Sequence, residues 1–204
     1  DDPKPKADEV VFEVKSAALN YNDIWGMRGQ PVPVPLPHVS GSDAAGDVIA
    51  VGEDVKNIKV GDRVVSHSNM SCRVCKACTD GREFDCTKRT IWGFQTGPNW
   101  GAFQEVTHLP EVNVSKIPEG VSYDDAAAAS MTILTSWHML VGRAKITPGK
   151  TVLIMGGGSG VGSFGIQIAK LYNCDVIATA SPDKLDKCLE LGADFAVDHR
   201  KDDW

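Results

Sequence analysis

The stretch TVLIMGGGSGVGSFGIQIAKLYNCDVIATA, residues 151–180, decides the fold of this chain. It begins with an apolar β-branched run, passes through a glycine-rich turn into a segment with apolar residues at helical spacing, and ends in a second β-branched run. The segments SPDKLDKCLELG (181–192) and ADFAVDH (193–199) repeat the alternation. Strands that alternate with helices in this way predict a parallel sheet with right-handed βαβ crossovers.

The glycine turn predicts a dinucleotide-binding site. Glycines allow a pyrophosphate to approach the backbone, and the amides and dipole at the start of the following helix attract its charge. If Gly157 and Gly162 are the outer glycines of the fingerprint, Ser159 stands where the middle glycine usually lies, so the match is imperfect. The expected cofactor contacts are Gly157, Ser159, Gly160, Val161 and Gly162.

The end of the second predicted strand bears on the choice between NAD(H) and NADP(H). NAD-specific folds place an Asp or Glu there for the ribose, whereas this chain has Thr179, Ala180 and Ser181. Without a carboxylate to repel a 2′-phosphate, and with Ser181 and Lys184 close by as donors, the sequence favours NADP(H). The alternative is that Ser181 caps a helix beginning at Pro182 and that Lys184 is a solvated surface charge.

Towards the N-terminus the pattern changes to β structure. The runs VVFEVKS (10–16), AGDVIAVG (45–52) and GDRVVSHS (61–68) are separated by turn-forming residues, which predicts a compact, partly open barrel. The Ala-rich stretch SYDDAAAASMTILTSWHML (122–140) opens with a Ser/Asp cap and predicts a helix. We therefore expect a β-rich domain over residues 1–130, followed over residues 131–204 by the connecting helix and the nucleotide-binding segment.

The βαβ segment contains only three predicted strands. A doubly wound dinucleotide-binding sheet has two such halves, with strand order 3-2-1-4-5-6. The predicted fold class is therefore α/β: a β-rich domain joined to the first half of a Rossmann sheet. Since the second half is missing and the chain opens on DDPKPKADE without an initiator Met, we expect a truncated piece of a longer protein.

The four cysteines in SCRVCKACTDGREFDC, namely Cys72, Cys75, Cys78 and Cys86, follow the pattern Cys-x2-Cys-x2-Cys-x7-Cys. This spacing lets four thiolates of one lobe, residues 71–87, converge on one Zn²⁺. Four sulfur ligands leave no open position, which predicts a structural rather than a catalytic metal. Two disulfides are the alternative, but no signal peptide precedes the cysteines.

Composition excludes several classes of partner. The fractions of apolar and charged residues are those of an ordinary globular protein, and the formal net charge of −6 argues against nucleic acid or an anionic membrane as the main partner. No apolar run has the length of a membrane span. We expect a cytoplasmic protein that binds small molecules, with Cys174 and Cys188 as buried free thiols.

The order of these features resembles the medium-chain dehydrogenase/reductase superfamily, which includes zinc alcohol dehydrogenases and quinone reductases. The stretches LNYND (19–23), AAGDVIAVGEDVKNIKVGDRV (44–64), the cysteine lobe and TVLIMGGGSGVGSFGIQIAK (151–170) carry the resemblance over nearly the whole chain. It implies a GroES-like domain joined to a Rossmann domain, an active site in the cleft between them, and an oligomer built through the nucleotide domain.

The departures from the zinc alcohol dehydrogenase pattern concern its catalytic metal. That pattern has a Cys three residues before a conserved Asp, a His in a Gly-His-Glu triplet and a Cys in the connecting helix. The corresponding residues here are Asn20, Ser42 and Met131. An amide, a hydroxyl and a thioether do not replace thiolate or imidazole as strong Zn²⁺ ligands, so activation of an alcohol by a metal is not expected. His38 is interpreted as a loop histidine.

Zinc-free members of the superfamily are NADPH-dependent reductases of activated double bonds. The resemblance brings Asn20, Tyr21 and Asn22 towards the nicotinamide, and Thr135 matches a threonine that contacts the nicotinamide ring. Tyr21 as a packed phenol and Asn22 as a turn residue are the alternatives. Thr179 is expected on the ribose side of the cofactor.

Within that branch, LNYNDIW, GSDAAG and IWGFQTGPNWGAFQE look most like crotonyl-CoA carboxylase/reductases and related enoyl-CoA reductases. Those carboxylases hold CO2 with an Asn, a Phe-Glu pair and a later His, and this chain has Asn20, Phe94 and Gln95. Gln95 cannot act as an acid or base, so simple reduction of a short enoyl-CoA is expected rather than carboxylation. Reduction of quinones or enones, and a noncatalytic nucleotide-binding scaffold, remain alternatives.

Overall fold

The computed structural model describes residues 3–31, 33–34, 36–97 and 100–201, and the chain divides into two compact units, Asp1–Met131 and Thr132–Trp204. The first unit is rich in β-strands and contains the cysteine lobe, and the second alternates strands and helices. The C-terminal Trp204, where the predicted truncation falls, lies outside the described residues.

The first unit is organised around a curled antiparallel sheet with the strand order β6-β1-β2-β3-β7. The three β-branched runs that the sequence indicated form β1, β2 and β3, so that part of the prediction is confirmed. The register between β1 and β2 shifts near Phe12 and again near Ser16, which bends the strands in the manner of β-bulges and curls the sheet into a half-barrel. The strands of the unit are β1 Glu9–Ala18, β2 Asp43–Val51, β3 Arg63–Ser66, β4 Asn69–Met70, β5 Thr90–Ile91, β6 Val106–Pro110 and β7 Val114–Lys116.

The main core of the first unit packs against this sheet. Its largest fully buried side chains are Trp92, Phe12 and Leu109, packed with Val10 and Val48. Two short helices, α1 Tyr21–Met27 and α2 Lys76–Thr79, lie on the excursions between strands. Helix α1 carries the polar residues that sequence analysis assigned to the substrate end, and α2 carries part of the cysteine lobe.

Helix α3, Tyr123–Trp137, is the predicted Ala-rich helix and continues as a π-helical turn over His138–Arg143. Its first half packs on the sheet of the first unit through Ala126 and Ala127. Its second half belongs to the second unit, where Ser136 Oγ lies 2.7 Å from the carbonyl oxygen of Val161 in the first turn of the next helix.

The second unit is a three-stranded parallel sheet with the order β10-β9-β8. Its elements are β8 Thr151–Ile154, α4 Gly160–Leu171, β9 Asp175–Ala180, α5 Leu185–Glu190 and β10 Phe195–Asp198, which confirms the predicted alternation. The core beneath the sheet is formed by Ile166, Val176 and Ala178, together with the free thiols Cys174 and Cys188, both buried as predicted. No helix within the described ranges is long and apolar enough to cross a membrane.

Candidate functional site

The cysteine lobe gathers four thiols at one point. Cys75 stands at the N-cap of α2, Cys78 lies within that helix, and Cys86 follows a single 3₁₀ turn, Glu83–Asp85. All four Sγ atoms lie within 4.8 Å of one another, with Cys75 and Cys78 3.5 Å apart and Cys72 and Cys78 4.0 Å apart. A tetrahedral Zn²⁺ with Zn–S bonds of about 2.3 Å places its sulfurs about 3.8 Å apart. The lobe therefore fits a zinc ion, and none of the four cysteines is in a disulfide.

Backbone groups prepare the lobe for negative charge. Arg73 adopts a left-handed conformation with φ 60°, which lets the chain turn back between the first two cysteines. Backbone N–H groups of Val74 and Cys75 lower the pKa of Cys72 to about 6, and the backbone N–H of Cys72 donates to Cys86 Sγ at 3.5 Å. Burial raises the pKa of Cys78 to about 11. A bound dication would offset that burial by favouring the thiolate form.

A second group of candidate residues surrounds the start of α1. The backbone N–H of Asn20 donates to Asp23 Oδ2 at 2.8 Å, and the other oxygen of Asp23 accepts the backbone N–H of Gly41 at 3.1 Å. The side-chain amide of Asn20 donates from Nδ2 to Asp43 Oδ2 at 2.8 Å. Two buried carboxylates thus hold this residue, one through its backbone and one through its side chain.

The same network includes Ser42 and Met131, the other two residues that the sequence resemblance aligns with metal ligands of zinc alcohol dehydrogenases. Ser42 Oγ donates to the carbonyl of Trp92 at 2.8 Å and accepts from Asn22 Nδ2 at 3.0 Å. The backbone N–H of Met131 donates to Asp43 Oδ1 at 3.1 Å. The amide of Asn20 and the hydroxyl of Ser42 are therefore committed to protein partners, and Met131 offers only a thioether. This donor set does not fit a catalytic Zn²⁺.

Burial perturbs both carboxylates of the network. Removal from water raises the pKa of Asp43 to about 6, against the opposing effect of hydrogen bonds from Asn20, Met131 and Ser130. Burial also raises the pKa of Asp23, and the backbone donors of Asn20 and Gly41 oppose that rise. The negative charge of Asp23 adds to the shift at Asp43. Asp43 lies in the stretch GSDAAG, but the sequence did not predict that its carboxylate would be buried beside Asn20. Its burial depends on the packing of β2.

The remaining residues expected at the substrate end are distributed around α1. Asn22 is buried, and its Oδ1 has no hydrogen-bond partner in the part of the chain that the structure describes. Tyr21 is 61% exposed and meets the Trp25 ring edge-on, so it is not the packed core phenol of the alternative interpretation. Phe94 is buried beside Gly26 of α1, whereas Gln95 is exposed and its Oε1 accepts the backbone N–H of Ile91 at 3.0 Å.

The glycine turn of the second unit has the shape that a pyrophosphate requires. Gly156 has φ +70°, and a Cβ on Gly162 would lie 2.2 Å from the carbonyl oxygen of Gly156, so both positions require glycine. Ser159 caps α4 by accepting the N–H of Gly162 at 3.1 Å and donates to Gly156 O at 2.7 Å. The hydroxyl of Ser159 thus stabilises the glycine turn through two hydrogen bonds within it. The first amides of the helix, those of Gly160 and Val161, have no acceptor within the helix and can face a phosphate.

The end of β9 is joined to the glycine turn by hydrogen bonds. Thr179 ties the strand to the turn, since its carbonyl accepts the N–H of Gly157 at 2.7 Å and its Oγ1 accepts that of Gly156 at 3.2 Å. Lys184 Nζ donates to the carbonyl of Gly158 at 3.1 Å, so the lysine lies over the turn rather than free in solvent.

The structure adds two charged residues that sequence analysis missed at this edge, Asp183 and Arg200. Ser181 occupies the N-cap of a short 3₁₀ turn, Pro182–Lys184, but its hydroxyl bonds Asp183 instead of a backbone amide. That hydrogen bond, with the attraction of Arg200 and Lys184, lowers the pKa of Asp183. Asp183 was missed because it follows the strand by three residues, beyond the position where the NAD-specific carboxylate is expected.

Thr135, expected to contact the nicotinamide, lies on an exposed face of the C-terminal half of α3. Its neighbour Ser136 is fully buried and fixes this half of the helix against α4. The rotational position of Thr135 on the helix is therefore set by the packing of Ser136 within the second unit.

Comparison with known proteins identifies the family. The model of the alcohol dehydrogenase GroES-like domain matches residues 6–119, and the model of zinc-binding dehydrogenases matches residues 160–204. The chain therefore belongs to the alcohol dehydrogenase GroES-like family, within the medium-chain dehydrogenase/reductase superfamily, as the sequence indicated.

Individual relatives cover two branches of that superfamily. The chain is 36% identical over 209 residues to crotonyl-CoA carboxylase/reductase of Cereibacter sphaeroides, across 98% of this chain and 48% of that protein. It is 33% identical over 202 residues to alcohol dehydrogenase 1 of Emericella nidulans, across 98% and 57%. The crystal structure of an NAD-dependent alcohol dehydrogenase matches with a TM-score of 0.95 and 41% identity, across 100% of this chain and 59% of that one. The chain thus spans about half the length of the curated relatives it matches.

Proposed function

We propose that this protein is an NADPH-dependent reductase of activated double bonds, with a short 2-enoyl-CoA as the favoured substrate and no catalytic zinc. One observation carries the proposal. The positions that would hold a catalytic metal are Asn20, Ser42 and Met131, and the polar side chains among them are committed to hydrogen bonds within the protein. The relative from Cereibacter sphaeroides, named as a carboxylase/reductase of crotonyl-CoA, supports this substrate class.

Reduction of a conjugated double bond suits such a site. The carbonyl of an enoyl thioester already draws electrons from the β-carbon, so the reaction needs positioned hydrogen-bond donors at the developing enolate rather than a Lewis acid. Asn20 donates one N–H of its side-chain amide to Asp43, and the second N–H is a neutral donor for this purpose. Activation of an alcohol or aldehyde by a Lewis acid would need metal ligands that this donor set does not supply.

The second unit would hold the cofactor. The turn residues Gly157 and Gly162 and the first amides of α4 suit a pyrophosphate, and the ammonium of Lys184 is the candidate donor to a 2′-phosphate. The hydroxyl of Ser181, expected as a second donor, instead donates to Asp183. When bound, NADPH would supply the hydride for the β-carbon, and a proton taken up from solvent at the α-carbon would complete the saturated product. Asp183 opposes a 2′-phosphate, and Arg200 and Lys184 offset its charge. Because two cations face one carboxylate, NADP(H) is the proposed cofactor. A dominant effect of Asp183 would instead favour NAD(H).

Carboxylation is not part of the proposal. Gln95 carries no charge, and its Oε1 is occupied by the backbone N–H of Ile91. It can neither accept a proton nor donate one as an acid, so control of water and CO2 beside Phe94 would differ from that of a Glu. The expected product from crotonyl-CoA is butyryl-CoA.

The cysteine lobe would bind one structural Zn²⁺ through Cys72, Cys75, Cys78 and Cys86. Its four sulfurs fill the tetrahedral coordination of the metal, so this zinc would order the lobe and take no part in hydride transfer. We likewise propose that residues 1–130 form the catalytic domain and that residues 131–204, which include the second half of the connecting helix α3, form part of the nucleotide domain.

The test is NADPH oxidation by the full-length protein with crotonyl-CoA, with and without bicarbonate, followed by product analysis. Butyryl-CoA under both conditions supports the proposal, and ethylmalonyl-CoA would show that Gln95 does not prevent carboxylation. Oxidation of NADPH with quinones or enones but not with crotonyl-CoA would show that the substrate is not an enoyl-CoA. Tight NADPH binding without turnover of any conjugated acceptor would instead support a noncatalytic nucleotide-binding protein, and oxidation of simple alcohols would contradict the argument from the metal position.

A further inference from the structure

The buried carboxylate of Asp43 has no role in the function proposed so far. Asp43 is fully buried, and its hydrogen-bond donors include the Asn20 amide and the Met131 backbone N–H, both of them neutral. A buried carboxylate without a cationic partner is expensive compared with a neutral residue of the same shape. Its position in the network therefore requires an explanation.

The hydrogen bond to Asn20 provides that explanation. Asn20 is partly exposed, so its side-chain amide does not need a protein partner to be solvated. A carboxamide has a donor nitrogen and an acceptor oxygen, and rotation of the group exchanges their positions. Because a carboxylate can only accept, Asp43 binds the nitrogen arm of Asn20 at 2.8 Å and disfavours the rotated form.

The surroundings hold both partners in place. Asp43 Oδ1 is anchored by the backbone N–H of Met131, so the carboxylate cannot turn away from Asn20. Asp23 fixes the backbone of Asn20 at the start of α1 through Oδ2 and ties α1 to the loop at Gly41 through Oδ1. The amide of Asn20 thus has a fixed backbone, a fixed partner and one defined orientation.

We propose that Asp43 is a positioning residue that holds the nitrogen arm of the Asn20 carboxamide, so that the second N–H of Asn20 serves as the hydrogen-bond donor to the substrate carbonyl. The part that concerns the substrate rests on the proposed reductase function, whereas the orientation of Asn20 does not. Asp43 itself exchanges no proton with the substrate and acts only through Asn20.

The variant Asp43→Asn reverses this orientation with little change in shape. The carboxamide that replaces the carboxylate keeps its oxygen on the Met131 N–H and presents its nitrogen to Asn20, which then rotates to accept with its own oxygen. The nitrogen of Asn20 then lies where its oxygen was, and the oxygen lies where the nitrogen was. Since a displaced donor can cost up to about 100-fold in rate, kcat should fall by roughly 10- to 100-fold while the Kd for NADPH stays within about twofold.

The first readout does not depend on activity. In ¹⁵N-labelled protein, the side-chain amide resonances of Asn20, assigned through their loss in Asn20→Gln, should include one hydrogen shifted downfield by the carboxylate. Asp43→Asn should remove that shift. Asp47→Asn is the matched control, because Asp47 lies on the same strand and bonds Tyr123 rather than α1. Asn20 resonances that are unchanged in Asp43→Asn would overturn the proposal.

The second readout separates positioning from a merely structural role. In the exchanged pair Asn20→Asp with Asp43→Asn, the hydrogen bond between the two positions is restored with its polarity reversed. The exchanged pair should have a melting temperature at least equal to that of the wild type but should lack its kcat. A wild-type kcat in the exchanged pair would mean that the substrate does not use the N–H of Asn20. If the wild type turns over no conjugated acceptor but the Asn20 shift disappears in Asp43→Asn, the proposed function fails and the orientation by Asp43 stands.

Discussion

The first unit contains two groups of residues that the sequence resemblance relates to metal sites, and the two groups differ in every donor. In the cysteine lobe, four thiols converge within 4.8 Å, and backbone amides lower the pKa of Cys72. Around Asn20, Ser42 and Met131, the donors are an amide, a hydroxyl and a thioether, and the two polar groups bond other residues of the chain. One scaffold thus supports a site suited to metal and a site suited to hydrogen bonding. Donor chemistry, rather than the fold, therefore decides which position binds zinc.

The largest expected effect is the loss of the lobe's metal. Cys86→Ser should reduce bound zinc from about one to less than about 0.1 per chain and lower the melting temperature by about 10 °C, because the lobe has little core of its own. Metal analysis and thermal denaturation measure both changes. Cys188→Ala, which alters a buried thiol of the second unit, is the control and should keep its zinc. Full zinc content in Cys86→Ser would mean that the four sulfurs do not form the site.

The next largest effect is a loss of cofactor binding in the second unit, which should leave both groups of residues in the first unit unchanged. Gly162→Ala places a Cβ 2.2 Å from the carbonyl of Gly156, where only backbone could move. We expect a loss of about 1–3 kcal/mol in stability from overpacking and a loss of NADPH binding by at least about tenfold, with zinc content unchanged. Isothermal titration measures the affinity. In Gly158→Ala the added Cβ meets the flexible side chain of Lys184 instead of backbone. This variant should therefore lose less stability and less affinity for NADPH. Equal losses in the two variants would contradict the geometry of the turn.

A smaller effect concerns stability as a function of pH at the hydrogen-bonding position. The folded state keeps the Asp43 proton up to pH about 6, whereas the unfolded chain releases it near the ordinary value of 3.8. The free energy of unfolding therefore falls as pH rises from about 4 to 6, and the charged form is destabilising above that window. Relative to the wild type, Asp43→Asn should be more stable at pH 8 than at pH 4.5. A difference in melting temperature that is constant over this range would contradict the buried charge.

The smallest effect tests the cofactor. Lys184 is exposed and bonds the glycine turn, so Lys184→Ala should weaken NADPH binding by roughly 3- to 10-fold through the loss of one charged contact. Binding of NADH should change by less than about twofold, since NADH lacks the 2′-phosphate. Fluorescence titration with both nucleotides provides the ratio. An equal loss for NADH would assign Lys184 to the turn alone.

The sequence predicted the larger features because each has a local cause. The β-branched runs indicated β1, β2 and β3, and the strand, turn and helix pattern around Gly157 indicated the parallel sheet, since periodicity and turn residues act over a few positions. The cysteine spacing likewise predicted the convergence of Cys72, Cys75, Cys78 and Cys86. Helix α5 begins at Leu185 rather than Pro182, because a 3₁₀ turn takes up the first three residues.

What the sequence did not reveal depends on contacts between distant residues. Asn20 and Asp43 are 23 residues apart and meet only because α1 packs beside β2. The hydrogen bond of Lys184 to Gly158 joins residues that are 26 positions apart. No local pattern encodes such pairings, so the partners of the polar side chains had to come from the structure.

The most direct test of the central claim is the zinc content of the full-length protein, measured on the same sample in which NADPH-dependent reduction of crotonyl-CoA is assayed. We expect one zinc per chain, removed only when the cysteine lobe is altered, together with turnover of crotonyl-CoA. Two zinc ions per chain, with the second lost when Asn20 or Ser42 is replaced, would contradict the conclusion that this position works through hydrogen bonds alone.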